Sequence, residues 1–160
     1  MAFETMLAPL QIPESNVFRW KGEAEPQRAA DEYETQLKSF FASGLPTFDL
    51  ILLGLGRDGH TASLFPYSPA IKVTNRIAAA NWVEKLDSFR LTLTFGAINN
   101  AKSIVFLVVG GDKAAVLRDV IEGTNKPVEE LPSKGVRPVS GTLTWLIDEA
   151  AAGYLDHRTI

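Results

Sequence analysis

The side chains best suited to chemistry crowd into one short stretch, Asp49-Leu-Ile-Leu-Leu-Gly-Leu-Gly-Arg-Asp-Gly-His-Thr-Ala-Ser-Leu-Phe-Pro66. An apolar run here stops in a turn containing Gly54, Gly56 and Gly59, residues whose backbone reaches angles closed to others. Arg57, Asp58, His60, Thr61 and Ser63 occupy the same turn. A histidine at the carboxyl end of a buried strand can exchange a proton near neutral pH, as a general base must. Asp58, two residues away, is placed to orient that ring or stabilise its charged form. The same residues also read as a polar loop with a solvated or capping histidine and an aspartate that satisfies turn donors. The glycine spacing does not match a dinucleotide-binding fingerprint.

A second group is Gly110-Gly111-Asp112-Lys113, where a strand passes through glycines into a helix. Such a junction offers backbone donors and the positive end of a helix dipole, which suits a phosphate. Lys113 adds a mobile positive charge. Asp112 opposes this electrostatically and is read as a helix cap. His157 reads as a solvated tail residue, and Trp20, Trp82 and Trp145 as packing residues.

The elements that must carry these groups follow from periodicity. Ala29, Ala30, Tyr33, Leu37, Phe40 and Phe41 predict a helix opened by Pro26 and closed by Gly44. Phe48–Leu53 and Ile104–Val109 are apolar along their length, as strands covered on both faces are. Ile77–Val83 is a weaker strand. Arg90-Leu-Thr-Leu-Thr-Phe alternates and reads as a strand or as an extended lead into a helix. A helix is expected from Asp112 to Gly123, then mostly loop over 124–141, a strand over Thr142–Ile147, and a short helix capped by Asp148. Strands separated by helices define an α/β fold with a mainly parallel, Rossmann-like sheet and flanking helices. Ligands in such folds gather at the carboxyl ends of the strands.

Composition narrows the function classes. The 160 residues suffice for one domain, with 46% hydrophobic and 22% charged residues. The net charge of −3 gives no reason to expect nucleic acid or an anionic membrane as partner. With no cysteine, disulfides and thiolate metal sites are out. No run of His, Asp and Glu has metal-ligand spacing, and no cofactor is expected. The start lacks the pattern of a signal peptide, so a cytoplasmic setting is expected.

The string Gly54-Leu-Gly-Arg-Asp-Gly-His-Thr-Ala-Ser-Leu-Phe-Pro66 resembles the signature of the 6-phosphogluconolactonases. Further matches follow in family order: Ile12-Pro-Glu-Ser-Asn-Val-Phe-Arg, Ala80-Asn-Trp-Val-Glu-Lys-Leu, Arg90-Leu-Thr-Leu-Thr, Val109-Gly-Gly-Asp-Lys-Ala and Leu143-Thr-Trp-Leu-Ile-Asp-Glu-Ala-Ala-Ala. The resemblance implies the fold shared with glucosamine-6-phosphate deaminases. It implies hydrolysis of a sugar-phosphate lactone in the oxidative pentose phosphate pathway, with His60 as the base that activates water and Asp58 supporting it. Arg57 and Gly59 belong to the same signature and are expected at the substrate. Similarity to the deaminases, where a matching lysine contacts phosphate, implies Lys113 as a phosphate ligand. Arg90 and Lys85 lie in the matched Lys-Leu-Asp-Ser-Phe-Arg segment and are expected to complete the cationic site; for Lys85, a surface charge flanking a strand is the competing reading. A related sugar-phosphate deaminase or isomerase, and a non-catalytic remnant that binds sugar phosphate or a partner, are the alternatives.

Family members begin upstream, with a first strand, a Gly-Gly-Ser-Thr-type phosphate loop and an Asp-Glu-Arg segment. Residues 1–24 match none of these, and Met1–Leu7 resembles the helix that follows them. The expectation is therefore a single, N-terminally truncated domain over 1–160, a poor catalyst that associates with itself through exposed apolar surface.

Overall fold

The computed structural model describes residues 3–42 and 44–156, so His157 lies outside the described residues. The amphipathic segment forms helix α1, Pro26–Phe41. Pro26 stands in the first turn, where its missing N–H costs nothing. The Glu25 carboxylate caps the helix, accepting hydrogen bonds from the N–H groups of Gln27 (3.0 Å) and Arg28 (2.8 Å). The helix ends earlier than predicted. Ala42, with φ 47°, takes the left-handed position that the sequence assigns to Gly44. At the amino end, Phe3–Leu7 forms a single wide helical turn.

Among the described residues five strands follow: β1 (Ile51–Gly54), β2 (Ala78–Val83), β3 (Ser88–Leu93), β4 (Ser103–Val108) and β5 (Thr142–Ile147). Strands β1, β4 and β5 form a parallel sheet in the order β1-β4-β5. Strands β2 and β3 pair separately as an antiparallel ribbon, turned by Asp87 at φ 45°. Both readings of the segment from Arg90 come true in succession, because β3 leads straight into helix α2 (Phe95–Asn99). Thr94 joins them, its hydroxyl accepting a hydrogen bond from the Ala97 N–H. Helices α3 (Ala114–Ile121) and α4 (Glu149–Ala152) complete the α/β arrangement.

The core lies on one face of the parallel sheet. Leu53, Phe106 and Trp145 stand in register across its strands. The Phe106 and Trp145 rings stack at 4.0 Å, with Leu117 and Val120 of α3 in the same cluster. The opposite face departs from the expectation of strands covered on both sides. Leu52 (59% exposed), Leu107 (48%) and Leu146 (54%) meet solvent there, since alternate strand residues point away from α3. Among the described residues, no helix is long and apolar enough to cross a membrane.

Helix α1 packs on the ribbon rather than on the main sheet. Glu34, buried, accepts hydrogen bonds from Arg76 Nε (2.7 Å), the Ile77 N–H (3.0 Å) and Lys38 Nζ (2.6 Å). One carboxylate therefore ties the helix to the start of β2. Burial pushes the Glu34 carboxyl upward, but these donors outweigh it and hold the group at about 2.

Candidate active site

Strand β1 runs out at Gly54, and the chain folds tightly over the next eleven residues. The Gly54 carbonyl accepts from the Thr61 hydroxyl (2.9 Å), whose residue is fully buried. The Gly56 N–H donates to the His60 carbonyl (2.9 Å), and the Gly59 N–H to the Gly56 carbonyl (3.0 Å). Gly59 holds φ 79°, the left-handed region that glycine enters without penalty. Gly56 is required for a different reason: the His60 ring lies directly against its α-carbon, where a side chain would collide.

This turn brings Asp58 and His60 together. His60 Nδ1 lies 2.5 Å from Asp58 Oδ1, and the His60 N–H donates to the same oxygen at 3.2 Å. Lys85, from the turn between β2 and β3, pairs with the other carboxylate oxygen, Oδ2. Burial pushes the Asp58 carboxyl upward, but the Lys85 ammonium and the His60 donors overcome it and hold the group at about 2. Asp58 is thus an anion at neutral pH and can only accept. Nδ1 of His60 must carry the proton between them, which in the neutral ring leaves Nε2 with the free lone pair. Phe65 stacks on the imidazole at 4.1 Å, and Lys85 Nζ sits 4.7 Å from the centre of the Phe65 ring.

His60 and Lys113 line one cavity of about 380 Å³ at the carboxyl end of β1, with Gly54, Gly56 and Ala62. The two residues are 53 positions apart, and the parallel pairing of β1 with β4 is what joins them. Asp58 and Lys85 also line a second hollow of about 480 Å³, walled by Phe65, Tyr67 and Trp82. Among the described residues, no group of three or more His, Asp or Glu side chains could hold a metal ion.

The remaining predicted groups are arranged less simply. Arg57 turns outward and pairs with Asp112 at 2.6 Å. That pairing, not helix capping, is what Asp112 does, and Arg57 holds its carboxyl below the usual range. The Gly110 N–H, expected to be free for a phosphate, donates instead to both oxygens of Asp148 at 3.0 and 3.1 Å. Asp148 also caps α4 through the Ala151 N–H (2.8 Å), as predicted. Arg90 is not brought to His60. It is exposed on β3, donates to Ser88 Oγ (2.9 Å), and lines a separate hollow with Trp20 and Pro26. Lys85 meets Asp58 rather than Lys113. Phe65 lies within the signature string, but neither its type nor its spacing marks it as the ring that stacks on His60.

Fold and site together define a parallel α/β protein with a histidine–aspartate pair in a glycine turn at a strand's carboxyl end. The model of the family "Glucosamine-6-phosphate isomerases/6-phosphogluconolactonase" matches residues 1–145. The chain belongs to this family. It is 41% identical over 155 residues to a 6-phosphogluconolactonase of Synechocystis, covering 94% of this chain and 63% of the relative. It is 39% identical over 152 residues to that of Homo sapiens, covering 94% and 58%. The chain thus spans about three-fifths of the curated relatives it matches. Among solved structures it is similar to the 6-phosphogluconolactonase of Trypanosoma brucei (TM-score 0.80, 29% identity, 97% of this chain and 66% of that one). A monomeric glucosamine-6-phosphate deaminase shares the fold at TM-score 0.62, covering 89% of this chain and 61% of its own.

Proposed function

We propose that this chain carries the hydrolytic site of a 6-phosphogluconolactonase, which adds water to 6-phospho-D-glucono-1,5-lactone to give 6-phosphogluconate. The observation that carries the reading is the His60–Asp58 pair beside a cavity shared with Lys113. Asp58, held as an anion, fixes the Nδ1 proton and supports the imidazolium as it forms. Nε2 takes a proton from water while the water oxygen bonds to the lactone carbonyl carbon. The tetrahedral oxyanion then collapses, the bond to the ring oxygen breaks, and that oxygen receives the proton from Nε2. The acid so formed releases its carboxyl proton to solvent as 6-phosphogluconate, and atoms and charge then balance. Lys113 is assigned to the substrate phosphate. Gly59 shapes the turn, while Arg57 serves through its link to Asp112. Lys85 steadies Asp58 in this reading, and Arg90, exposed on β3, is the remaining cation proposed for the substrate.

The test is His60→Asn, with rates corrected for spontaneous hydrolysis of the lactone. Losing a positioned base costs about 10²–10⁴-fold; a rate within a factor of two of the parent overturns the role. A charged sugar-phosphate substrate goes with a cytoplasmic setting, which belongs to the same proposal. So does self-association through Leu52, Leu107 and Leu146, which sedimentation at several concentrations would reveal.

A further inference from the structure

We infer that Ser133, 73 residues beyond His60 in sequence, is a positioning residue for the His60 base and acts by gripping the peptide unit between Gly59 and His60. Both donors of Ser133 converge on one acceptor: its N–H reaches the Gly59 carbonyl at 2.9 Å and its hydroxyl reaches the same oxygen at 2.8 Å. The other end of that peptide unit is the His60 N–H, which donates to Asp58 Oδ1. The plane from which the imidazole hangs is therefore held at both ends, by Ser133 on the carbonyl and by Asp58 on the amide. Leu131 closes the third side. A β-carbon at Gly59 would lie 2.5 Å from Leu131 Cδ2 and 3.3 Å from Leu131 Cα, so Leu131 packs close over the Gly59 backbone.

The gripping segment is itself well anchored. Ser133 is 1% exposed and Leu131 4%. The Tyr67 N–H donates to the Glu129 carbonyl at 2.8 Å, Asn99 Nδ2 to the Gly135 carbonyl at 2.9 Å, and Lys134 Nζ to the Gly123 carbonyl at 2.8 Å. A stretch that proline content marks as loop is thus a rigid brace against the turn that presents Asp58 and His60. Without the serine hydroxyl, the carbonyl keeps one donor and the peptide can rock about it. The Nδ1–Oδ1 contact of 2.5 Å leaves little room for that.

This rests on the reading of His60 as base, and the experiment separates the two. Ser133→Ala is compared with Thr94→Ala, which removes an equally buried hydroxyl that bonds the Arg76 carbonyl and the Ala97 N–H instead of the Gly59–His60 peptide. Two readouts are taken: the steady-state constants for lactone hydrolysis, and the proton resonance of the His60 Nδ1–H bonded to Asp58. Misplacing a catalytic group by about 1 Å can cost roughly 10²-fold, so Ser133→Ala is expected to lower kcat about tenfold or more with KM little changed. The Nδ1 proton should broaden or move upfield. Thr94→Ala should lose thermal stability but keep kcat and the resonance. If Ser133→Ala matches Thr94→Ala in both readouts, the positioning role is overturned. If Ser133→Ala does not fold, Ser133→Cys, close in size and a weaker donor, must show the same directions, and parent-like values overturn the role. Retained activity in His60→Asn would reject the base instead, while the resonance would still report on Ser133.

Discussion

Replacing Gly56 by alanine should break the Asp58–His60 pairing while leaving the fold almost untouched. An alanine β-carbon at this position falls well inside 3.0 Å of both Nδ1 and Cε1 of His60, and 2.8 Å from Asp58 Oδ1. Ordinary contact begins at 3.4 Å, so the imidazole must retreat by more than an ångström. Phe65, stacked at 4.1 Å, limits the directions open to it. The backbone itself gives no objection, because Gly56 is not among the glycines with positive φ. The easiest escape is rotation of the half-buried His60 side chain toward solvent, with loss of its bond to Asp58. A displacement of about 1 Å is worth roughly 10²-fold in rate, or about 2.7 kcal/mol of transition-state stabilisation. Stability should fall by only about 1 kcal/mol, the typical net worth of one hydrogen bond. The assay pairs lactone hydrolysis, corrected for the spontaneous rate, with the His60 Nδ1 proton resonance and a thermal melt. An alanine variant that keeps the resonance and a rate within twofold of the parent would refute the close-approach argument. A variant that fails to fold would show that the turn, not the ring, needs the glycine.

Lys113→Ala should weaken 6-phosphogluconate binding by roughly 1.5–3 kcal/mol, the worth of a charged hydrogen bond, and matter little for gluconate; equal losses for both ligands in calorimetry would assign the lysine to folding. Glu34→Gln tests how α1 is tied to β2. The Glu34 carboxyl lies at about 2 against an ordinary 4.5, so its contribution is complete above pH 4.5 and is lost as pH falls toward 2. At about 1.36 kcal/mol per unit, the ceiling is roughly 3 kcal/mol at neutral pH. The variant should melt lower at pH 7 and converge on the parent near pH 2, whereas a constant gap across that window would exclude the ionised carboxylate as the cause.

Local chemistry was legible in the sequence wherever one segment decides its own conformation. Helix α1 follows from apolar spacing and Pro26, the strands from apolar runs, and the α4 cap from Asp148 before a run of alanines. The Asp58–His60 pair was legible for the same reason: two residues apart in a glycine turn, they have few ways to avoid each other. Tertiary structure decided what depends on distant segments. Lys85 rather than a nearer cation neutralises Asp58 across 27 residues. Arg57 takes Asp112 across 55 residues and Ser133 grips Gly59 across 74. Asp148 claims the Gly110 N–H, and Arg90 goes to another hollow, although both glycine and arginine had the right chemistry for a phosphate. Periodicity reports which face of an element is apolar, through interactions three or four residues apart in a helix and two in a strand. It carries no information about which of several lysines or carbonyls a folded neighbour will present, because that choice is made by strand order and register, after the elements have formed.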